Sequence, residues 1–130
     1  PIVENGVLKN YYISNYMSKK MGMPMTQGGT TIVDFGLGES DTAGLLRNLA
    51  RGLYITGFNG GNCNGTTGDF SFGIEGYWGE NGVIVKPVSG MLITGNMLTL
   101  WSNLVDMSND PLGYTAWKLP SLLFAEVVVN

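Results

Sequence analysis

Apolar residues alternate with small or polar ones at several places along the chain, and this pattern predicts strands. In the clearest case, Phe70, Phe72 and Ile74 alternate with serine, glycine and glutamate. Successive strand side chains point to opposite faces of a sheet, so this order gives one apolar face. We extend this strand to residue 78 and expect further strands at residues 30–35, 53–56, 83–88 and 121–129.

Two Asn-Gly pairs between apolar residues predict hairpins. Asn5-Gly6 and Asn81-Gly82 each supply the two positive-φ positions of a type I′ turn. The first hairpin joins residues 2–8, and its second arm could continue to residue 13. Both turns read Glu-Asn-Gly-Val, but four residues are too few to indicate duplication, and independent use of a favoured turn explains them.

Three segments carry features typical of helices. They are residues 16–21, residues 45–50 and residues 95–106, the last two with apolar side chains at a spacing of three to four. The expected N-caps are Ser14 or Asn15, one of residues 39–42, and Thr94 or Asn96. Gly22 and Gly52 follow the first two helices and predict their ends. The fold class is therefore α+β, with a mainly antiparallel β-sheet, hairpins and two or three short helices.

Residues 57–73 hold six of the twenty glycines and the single cysteine; they follow the predicted strand at residues 53–56 and run into the one that begins at Phe70. We expect either a long bulged connection or a loop that faces a ligand, since glycine allows close backbone approach. A sheet edge beside such a loop offers unpaired N–H and C=O groups that an extended peptide can join as an added strand. The candidate peptide or interface residues are Gly60, Gly61, Asn62, Asn64, Thr66 and Asp69. On this hypothesis, Gly61→Val leaves the fold intact and reduces peptide cleavage.

The length and charge of the chain exclude several protein classes. A chain of 130 residues is one domain. The net charge of −3 and only seven scattered basic residues argue against a nucleic-acid partner. No apolar run is long enough to span a bilayer and no signal sequence opens the chain, so we expect no membrane partner. One unpaired cysteine fits a reducing cytoplasm.

Only 13% of the residues are charged, about half the usual share. We therefore expect part of the surface to be buried against another chain. The chain also opens on Pro1 and enters a strand pattern at once, so we expect it to belong to something larger.

The residues offer little chemistry of their own. Histidine is absent, which removes the commonest general base, zinc ligand and activator of a nucleophile. Cys63 therefore has no histidine to activate it. The carboxylates match no Ca²⁺ loop, and we expect solvated or turn-capping roles for them: Asp34, Asp69, Glu75, Asp106 and Asp110. Asp69 is expected to accept hydrogen bonds from N–H groups of the loop before it.

Several ordered motifs resemble the C-terminal domain of the TldD/PmbA family. They read Leu-Tyr-Ile-Thr-Gly-Phe, Asn-Cys-Asn, Thr-Gly-Asp-Phe-Ser-Phe-Gly, Glu-Asn-Gly, Lys-Pro-Val, Ile-Thr-Gly-Asn-Met and Asn-Asp, at residues 53–58, 62–64, 67–73, 80–82, 86–88, 93–97 and 109–110. Residues 12–26 also fit. The resemblance covers nearly the whole chain and makes it the C-terminal portion of a larger TldD/PmbA-like chain.

The resemblance implies a cytoplasmic peptidase system in which a catalytic and a non-catalytic subunit pair and cut unfolded or leader peptides. The family's zinc-binding HExxxH helix would lie upstream of these residues. A cysteine ligand that the catalytic type carries after the Asn-Asp element is missing from residues 111–120. The resemblance thus implies a non-catalytic subunit with a paralogous partner and an extended peptide substrate. Zinc would be held by the partner or by the upstream region, and this chain would hold no cofactor.

Two other functions stay open from the sequence. One is a non-proteolytic adaptor or binding module, in keeping with the family's description as a modulator of DNA gyrase. The other is a stand-alone enzyme that uses Cys63 or a pair of carboxylates.

Overall fold

The computed structural model describes residues 1–29 and 32–130 and confirms the α+β class. Its elements in chain order are β1 (Val3–Glu4), β2 (Val7–Leu8), α1 (Asn15–Met21), β3 (Val33–Asp34), α2 (Thr42–Arg47), β4 (Arg51–Cys63), β5 (Asp69–Glu80), β6 (Val83–Asn96), α3 (Met97–Ser102), β7 (Leu104–Met107), β8 (Trp117–Lys118), β9 (Leu122–Phe124) and β10 (Val128–Val129). Strands β10, β6, β5 and β4 form an antiparallel sheet in that spatial order. The other pairs are β1–β2, β7–β9 and the parallel pair β3–β8.

Both predicted hairpin turns are confirmed by their backbone angles. Asn5 and Gly6 have φ of 51° and 73°, and Asn81 and Gly82 have φ of 51° and 77°. These positive angles match the right-handed twist of the flanking strands. The second arm of the first hairpin ends at Leu8 and does not continue to residue 13.

The first helix begins and ends as predicted. Ser14 is the N-cap of α1 and accepts a hydrogen bond from the Met17 N–H. Gly22 closes the helix in the left-handed region, with φ of 67°. The pattern of cap, helix and glycine therefore sufficed to place this element.

The predicted end of the second helix is wrong. Asp41 caps α2, but the helix ends at Arg47, and Gly52 lies inside β4. The carbonyls of Leu49 and Ala50 accept hydrogen bonds from the backbone of the second hairpin turn. These contacts, which are distant in sequence, replace the last helical turn that the apolar spacing predicted.

The third helix is also shorter than predicted. Asn96 is its N-cap, as one of the two alternatives had it, but the helix ends at Ser102 and not at residue 106. The residues that follow form β7, which pairs with β9. Pairing with a strand from the end of the chain thus overrides the helical spacing of Leu104 and Val105.

Two predicted strands differ in extent from the structure. The strand expected at residues 121–129 is divided into β9 and β10 by Glu126, whose φ is 54°. Of the strand expected at residues 30–35, the structure shows only the two residues of β3, and Thr30 and Thr31 lie outside the described residues.

The buried core lies on one face of the four-stranded sheet. Phe70 and Ile74 of β5 and Ile93 of β6 form its centre. The side chains packed around this centre are Leu53, Ile55, Cys63, Phe72, Met91, Met97, Leu100 and Val127. The predicted alternation of β5 is therefore confirmed. The strand expected at residues 83–88 is much longer and runs to Asn96.

Candidate functional site

The outer edge of β4 is unpaired in the part of the chain that the structure describes. β4 is the last strand in the sheet order, and its length of 13 residues makes it one of the longest. Much of the glycine-rich stretch that we predicted as a loop is therefore strand, and the connection to β5 is only residues 64–68. Gly57, Gly60 and Gly61 explain the error, because they lie at bulges in the strand and not in a loop.

The register shows which β4 residues direct their backbone groups outward. In an antiparallel ladder, hydrogen-bonded and non-hydrogen-bonded pairs alternate. The Asn64 N–H donates to the Asp69 carbonyl at one end, and the Asn81 N–H donates to the Ala50 carbonyl at the other. Counting inward from these bonds, the pairs in β4 whose N–H and C=O point away from β5 involve Arg51, Leu53, Ile55, Phe58, Gly61 and Cys63.

Two bulges bend this edge. The register between β4 and β5 shifts between Ile55 and Gly57 and again between Phe58 and Gly61. Gly60 and Gly61 have φ of 83° and 127°, which lie in a region that glycine adopts without strain. Each bulge leaves an extra residue unpaired and increases the local twist. The glycines are thus needed by the strand's own backbone.

The Gly61 backbone lies directly against β5, which makes the expected tolerance of Gly61→Val wrong. A Cβ atom at Gly61 would lie 2.7 Å from the Phe72 Cα and would also collide with the Ser71 carbonyl. Both contacts are with backbone that cannot move aside. A side chain here would therefore damage the fold before it could report on peptide binding.

β10 pairs only with Ile93 and Thr94 of β6, so the first part of β6 is also an edge, and it differs from β4 in its protection against strand pairing. Edge strands are commonly protected by lysine and proline. β6 carries both, as Lys86 and Pro87. Pro87 lies opposite Tyr77, and by the same alternation its missing N–H faces outward. β4 has neither residue type between Gly52 and Cys63, so its edge keeps its donors and lacks a charge that would repel an added strand.

Three of the predicted site residues lie on this free edge. Gly60, Gly61 and Asn62 are exposed members of β4. The Asn62 side chain points to the face opposite Cys63, and its amide makes no hydrogen bond within the described chain. Asn62 is therefore available to contact a bound peptide without loss of an internal contact.

Of the other three predicted residues, Asn64 and Thr66 belong to the short loop that joins β4 to β5, and Asp69 is the first residue of β5. The Asn64 Oδ1 accepts hydrogen bonds from the N–H groups of Thr66 and Thr67, at 2.9 and 3.2 Å. The Asp69 carboxylate accepts from the Thr67 hydroxyl at 2.8 Å and from the Asn96 amide at 2.9 Å. It is thus Asn64, and not Asp69 as we expected, that accepts from loop N–H groups.

The loop is also fixed to the start of α3. The Asn96 Nδ2 donates to the Thr67 carbonyl as well as to Asp69, while its Oδ1 accepts from the Leu98 N–H. The hydrogen bonds from Asn96 and then Thr67 hold the pKa of Asp69 below its usual range. Asn64 and Asp69 therefore shape the end of the β4 edge, and their side chains are engaged within the chain.

The thiol of Cys63 lies on the core face of the sheet. Cys63 is opposite Phe70 in the ladder and packs at the margin of the core. The chain has no histidine to activate it. Nothing in this environment favours a nucleophile.

The described residues do not fit a zinc site. Zinc sites in proteins use three or four histidine, cysteine or carboxylate ligands. No group of three such side chains comes together within residues 1–29 and 32–130. Glu75 instead accepts from the Asn59 amide, and Asp110 accepts from Thr42. These two carboxylates therefore have hydrogen-bond partners within the chain.

An apolar groove that the sequence did not suggest lies between α2 and the hairpin of β5 and β6. It has a volume of about 460 Å³ and is lined by Ala43, Leu46, Arg47, Leu49, Tyr54, Gly79, Gly82, Val83 and Ile84. Val83, Ile84 and Val85 are consecutive and all exposed. Among the described residues, none of the helices is long and apolar enough to cross a membrane.

A protein-family model and several named relatives match this chain. The model of the PmbA/TldA metallopeptidase C-terminal domain matches residues 1–130. The chain is 37% identical over 112 residues to a metalloprotease PmbA homolog of Haemophilus influenzae and 32% identical over 111 residues to metalloprotease PmbA of Escherichia coli O157:H7. Each match covers 84% of this chain and 25% of the relative. The chain thus spans about a quarter of the length of these relatives.

Solved structures show the same fold. A protein of Bacteroides thetaiotaomicron, named as a candidate modulator of DNA gyrase, superposes with a TM-score of 0.91 and 46% identity over 98% of this chain and 29% of that one. A Thermotoga maritima protein of similar name gives a TM-score of 0.84 and 32% identity, over 99% of this chain and 32% of that one. TldE of Thermococcus kodakarensis, at 21% identity and a TM-score of 0.81, shares the fold.

Proposed function

The chain belongs to the TldD/PmbA family of metallopeptidases, as its C-terminal domain, and we propose that it binds extended peptides for cleavage by a metal site that it does not itself supply. In this proposal the outer edge of β4 receives the peptide as an added antiparallel or parallel strand. The protein would act as a non-catalytic subunit beside a paralogous partner. Zinc would be held by that partner or by a region upstream of these residues.

The free edge of β4 is the observation that carries the proposal. Strand addition uses main-chain hydrogen bonds for affinity, so it accepts peptides with little regard to sequence. Such tolerance suits a protein that processes unfolded peptides. The contrast between β4 and the Lys86-Pro87 edge of β6 supports a site on one side of the sheet and not on both.

The donor set of the chain supports the non-catalytic part of the proposal. Histidine is absent, and residues 111–120 contain no cysteine. The side chains present in the described residues do not fit zinc. What this chain contributes is therefore the orientation of the peptide. The extended conformation of an added strand exposes each peptide bond in turn to a neighbouring catalytic group.

The proposal also includes the location of the protein, the absence of a nucleic-acid partner and its burial in an assembly. The net charge of −3 supports a protein without direct contact to nucleic acid. The single cysteine supports a cytoplasmic location. Many exposed apolar side chains, among them Ile32, Leu98 and Tyr114, support burial of part of the surface in an assembly.

A lysine on the β4 edge tests the proposal. Asn62→Lys places a charge on the free edge without removing an internal hydrogen bond. We expect it to reduce several-fold both the binding of an uncharged Ser/Thr decapeptide to the full-length protein and the cleavage of unfolded peptides by the assembled complex. The matched control is Ser89→Lys on β6, where we expect no change. Equal activity of a well-folded Asn62→Lys variant would contradict the proposal.

A variant of the paralogous partner distinguishes a peptidase subunit from an adaptor without proteolytic function. The names of the two solved relatives favour the adaptor. Replacing the zinc ligands of the paralogous partner should abolish peptide cleavage while peptide binding by this chain persists. Cleavage that continues, or an assembly that never cleaves peptide, would favour the adaptor.

A further inference from the structure

Phe58 lies on the free edge of β4 with most of its ring in solvent. Phe58 as a residue is 63% exposed. The ring contacts Phe72 edge-to-face with centroids 5.8 Å apart, and Phe72 in turn stacks on the buried Phe70 at 5.6 Å. A row of three aromatic rings therefore runs from the core to the edge where the peptide would bind.

The glycine beside this row explains its geometry. Gly61 lies opposite Phe72 in the ladder and has no side chain to cover that ring. The bulge between Phe58 and Gly61 brings the Phe58 ring against Phe72 instead. The Phe58 and Phe72 rings therefore meet at the edge of the sheet, and one apolar side of this pair is left uncovered.

Phe58 also directs its backbone groups outward. It lies opposite Ile74. The Met97 N–H donates to the Gly68 carbonyl, and counting along the ladder from that bond, Ile74 is hydrogen-bonded to β6. Phe58 therefore keeps its N–H and C=O for a strand on its other side. A residue added opposite Phe58 would have its Cβ about 5 Å from that of Phe58, on the same face of the sheet.

The surroundings of Phe58 are apolar on that face. Ile74 is its cross-strand neighbour and is buried, and Phe72 is the ring beside it. Glu75, the nearest acidic neighbour along β5, accepts a hydrogen bond from Asn59 on the other face. A charged peptide side chain placed against Phe58 would lose water without gaining a partner.

We propose that Phe58 is a specificity-determining residue that contacts an aromatic or large aliphatic side chain of the bound peptide. This inference rests on the proposed binding of peptides at the β4 edge. It adds that a peptide is held with an apolar residue opposite Phe58, which fixes the register of an otherwise sequence-tolerant strand. Aromatic cross-strand pairs contribute up to about 1 kcal/mol, which corresponds to a preference of about fivefold.

A double-mutant cycle with peptides tests this inference. Two labelled decapeptides of serine and threonine carry either phenylalanine or serine at one central position. They are titrated into the full-length protein and into its Phe58→Ser variant. We expect the wild type to bind the phenylalanine peptide about fivefold more tightly, and the variant to bind both peptides equally. Phe58→Leu should keep most of the preference, and Tyr114→Ser, which removes an exposed ring elsewhere, should keep all of it.

The outcomes separate the inference from the proposed function. If the wild type binds both peptides equally, or if Phe58→Ser keeps the preference, the inference is overturned while strand addition stands. If the wild type binds neither peptide, both the inference and the proposed function are overturned. Circular dichroism verifies that Phe58→Ser is folded, and the Phe58→Leu variant provides the same comparison with the smaller perturbation.

Discussion

The Asn96 side chain donates a hydrogen bond to the Asp69 carboxylate at 2.9 Å across the first pair of β5 and β6. The same amide donates to the Thr67 carbonyl, and its oxygen caps α3. One side chain thus joins the loop after β4, the start of β5 and the first turn of a helix. The shape of the candidate site therefore depends on a residue that lies outside it.

Asn96→Ala should destabilise the protein and loosen the loop of residues 64–68. Loss of an N-cap costs about 1 kcal/mol, and the loop loses two further hydrogen bonds. Urea denaturation of wild type and variant measures the difference. Asn96→Asp is the matched control for the cap because it keeps the acceptor but loses the amide donor and adds a charge beside Asp69. A stability of Asn96→Ala equal to that of the wild type would contradict the contribution of both the N-cap and the two hydrogen bonds from the Asn96 amide.

The pKa of Asp69 should rise toward its ordinary value in Asn96→Ala. In the wild type, hydrogen bonds from Asn96 and then Thr67 favour the charged carboxylate and hold the pKa low. NMR titration of the Asp69 carboxyl carbon in both proteins gives the shift directly. We expect an upward change in the variant, and an unchanged titration would contradict the assigned bond.

Substitution at two neighbouring glycines should have opposite outcomes. Gly61→Ala meets a positive φ and a backbone contact with Phe72 at once, so we expect a loss of roughly 1–3 kcal/mol or more of the free energy of unfolding. Gly65 has open space around its Cα and an ordinary φ, so Gly65→Ala should be neutral within about 0.5 kcal/mol. Thermal denaturation compares the two. Equal stability would mean that the bulge at residues 58–61 is not formed as described.

The sequence predicted local features well and long-range pairing poorly. The Asn-Gly turns, the Ser14 and Asn96 caps and the alternation of β5 depend on neighbouring residues, and all are confirmed. The ends of α2 and α3 were wrong because hydrogen bonds from distant strands decide them. No local pattern contains that information.

For the candidate site, too, local features could be predicted from the sequence and long-range pairing could not. Glycine in residues 57–63 indicated an unusual backbone, but whether it forms a loop or a bulged strand depends on pairing with β5. Phe58 was missed because its importance comes from the register and from the absence of a side chain at Gly61. Lys86 and Pro87 were visible in the sequence as a protected edge, and comparing the predicted strands for such residues would have pointed to β4.

Acid should weaken a contact between the two halves of the chain. Asp110 accepts hydrogen bonds from the Thr42 N–H and hydroxyl at 3.0 and 2.8 Å. Bonds from the Ser108 hydroxyl and then from Thr42 hold the pKa of Asp110 below its ordinary value of 3.8. A lowered folded-state pKa means that this stabilisation is complete above the ordinary value and is lost as the pH falls through the folded value. Asp110→Asn should therefore lose less stability than the wild type as the pH falls from about 5 to about 2.

Denaturation at several pH values measures that difference. An Asp110→Asn variant with an unchanged acid dependence would contradict the role of this carboxylate.

Amide hydrogen exchange tests strand addition at β4 most directly. The full-length protein, labelled with ¹⁵N, is compared with and without a saturating uncharged decapeptide that carries one phenylalanine. We predict that exchange slows at the outward amides of Leu53, Phe58 and Cys63, while the inward amide of Tyr54 and the β6 edge at Ile84 are unchanged relative to the free protein. Unchanged exchange at the outward amides under saturation, or equal slowing at all of these positions, would contradict binding of the peptide as an added strand.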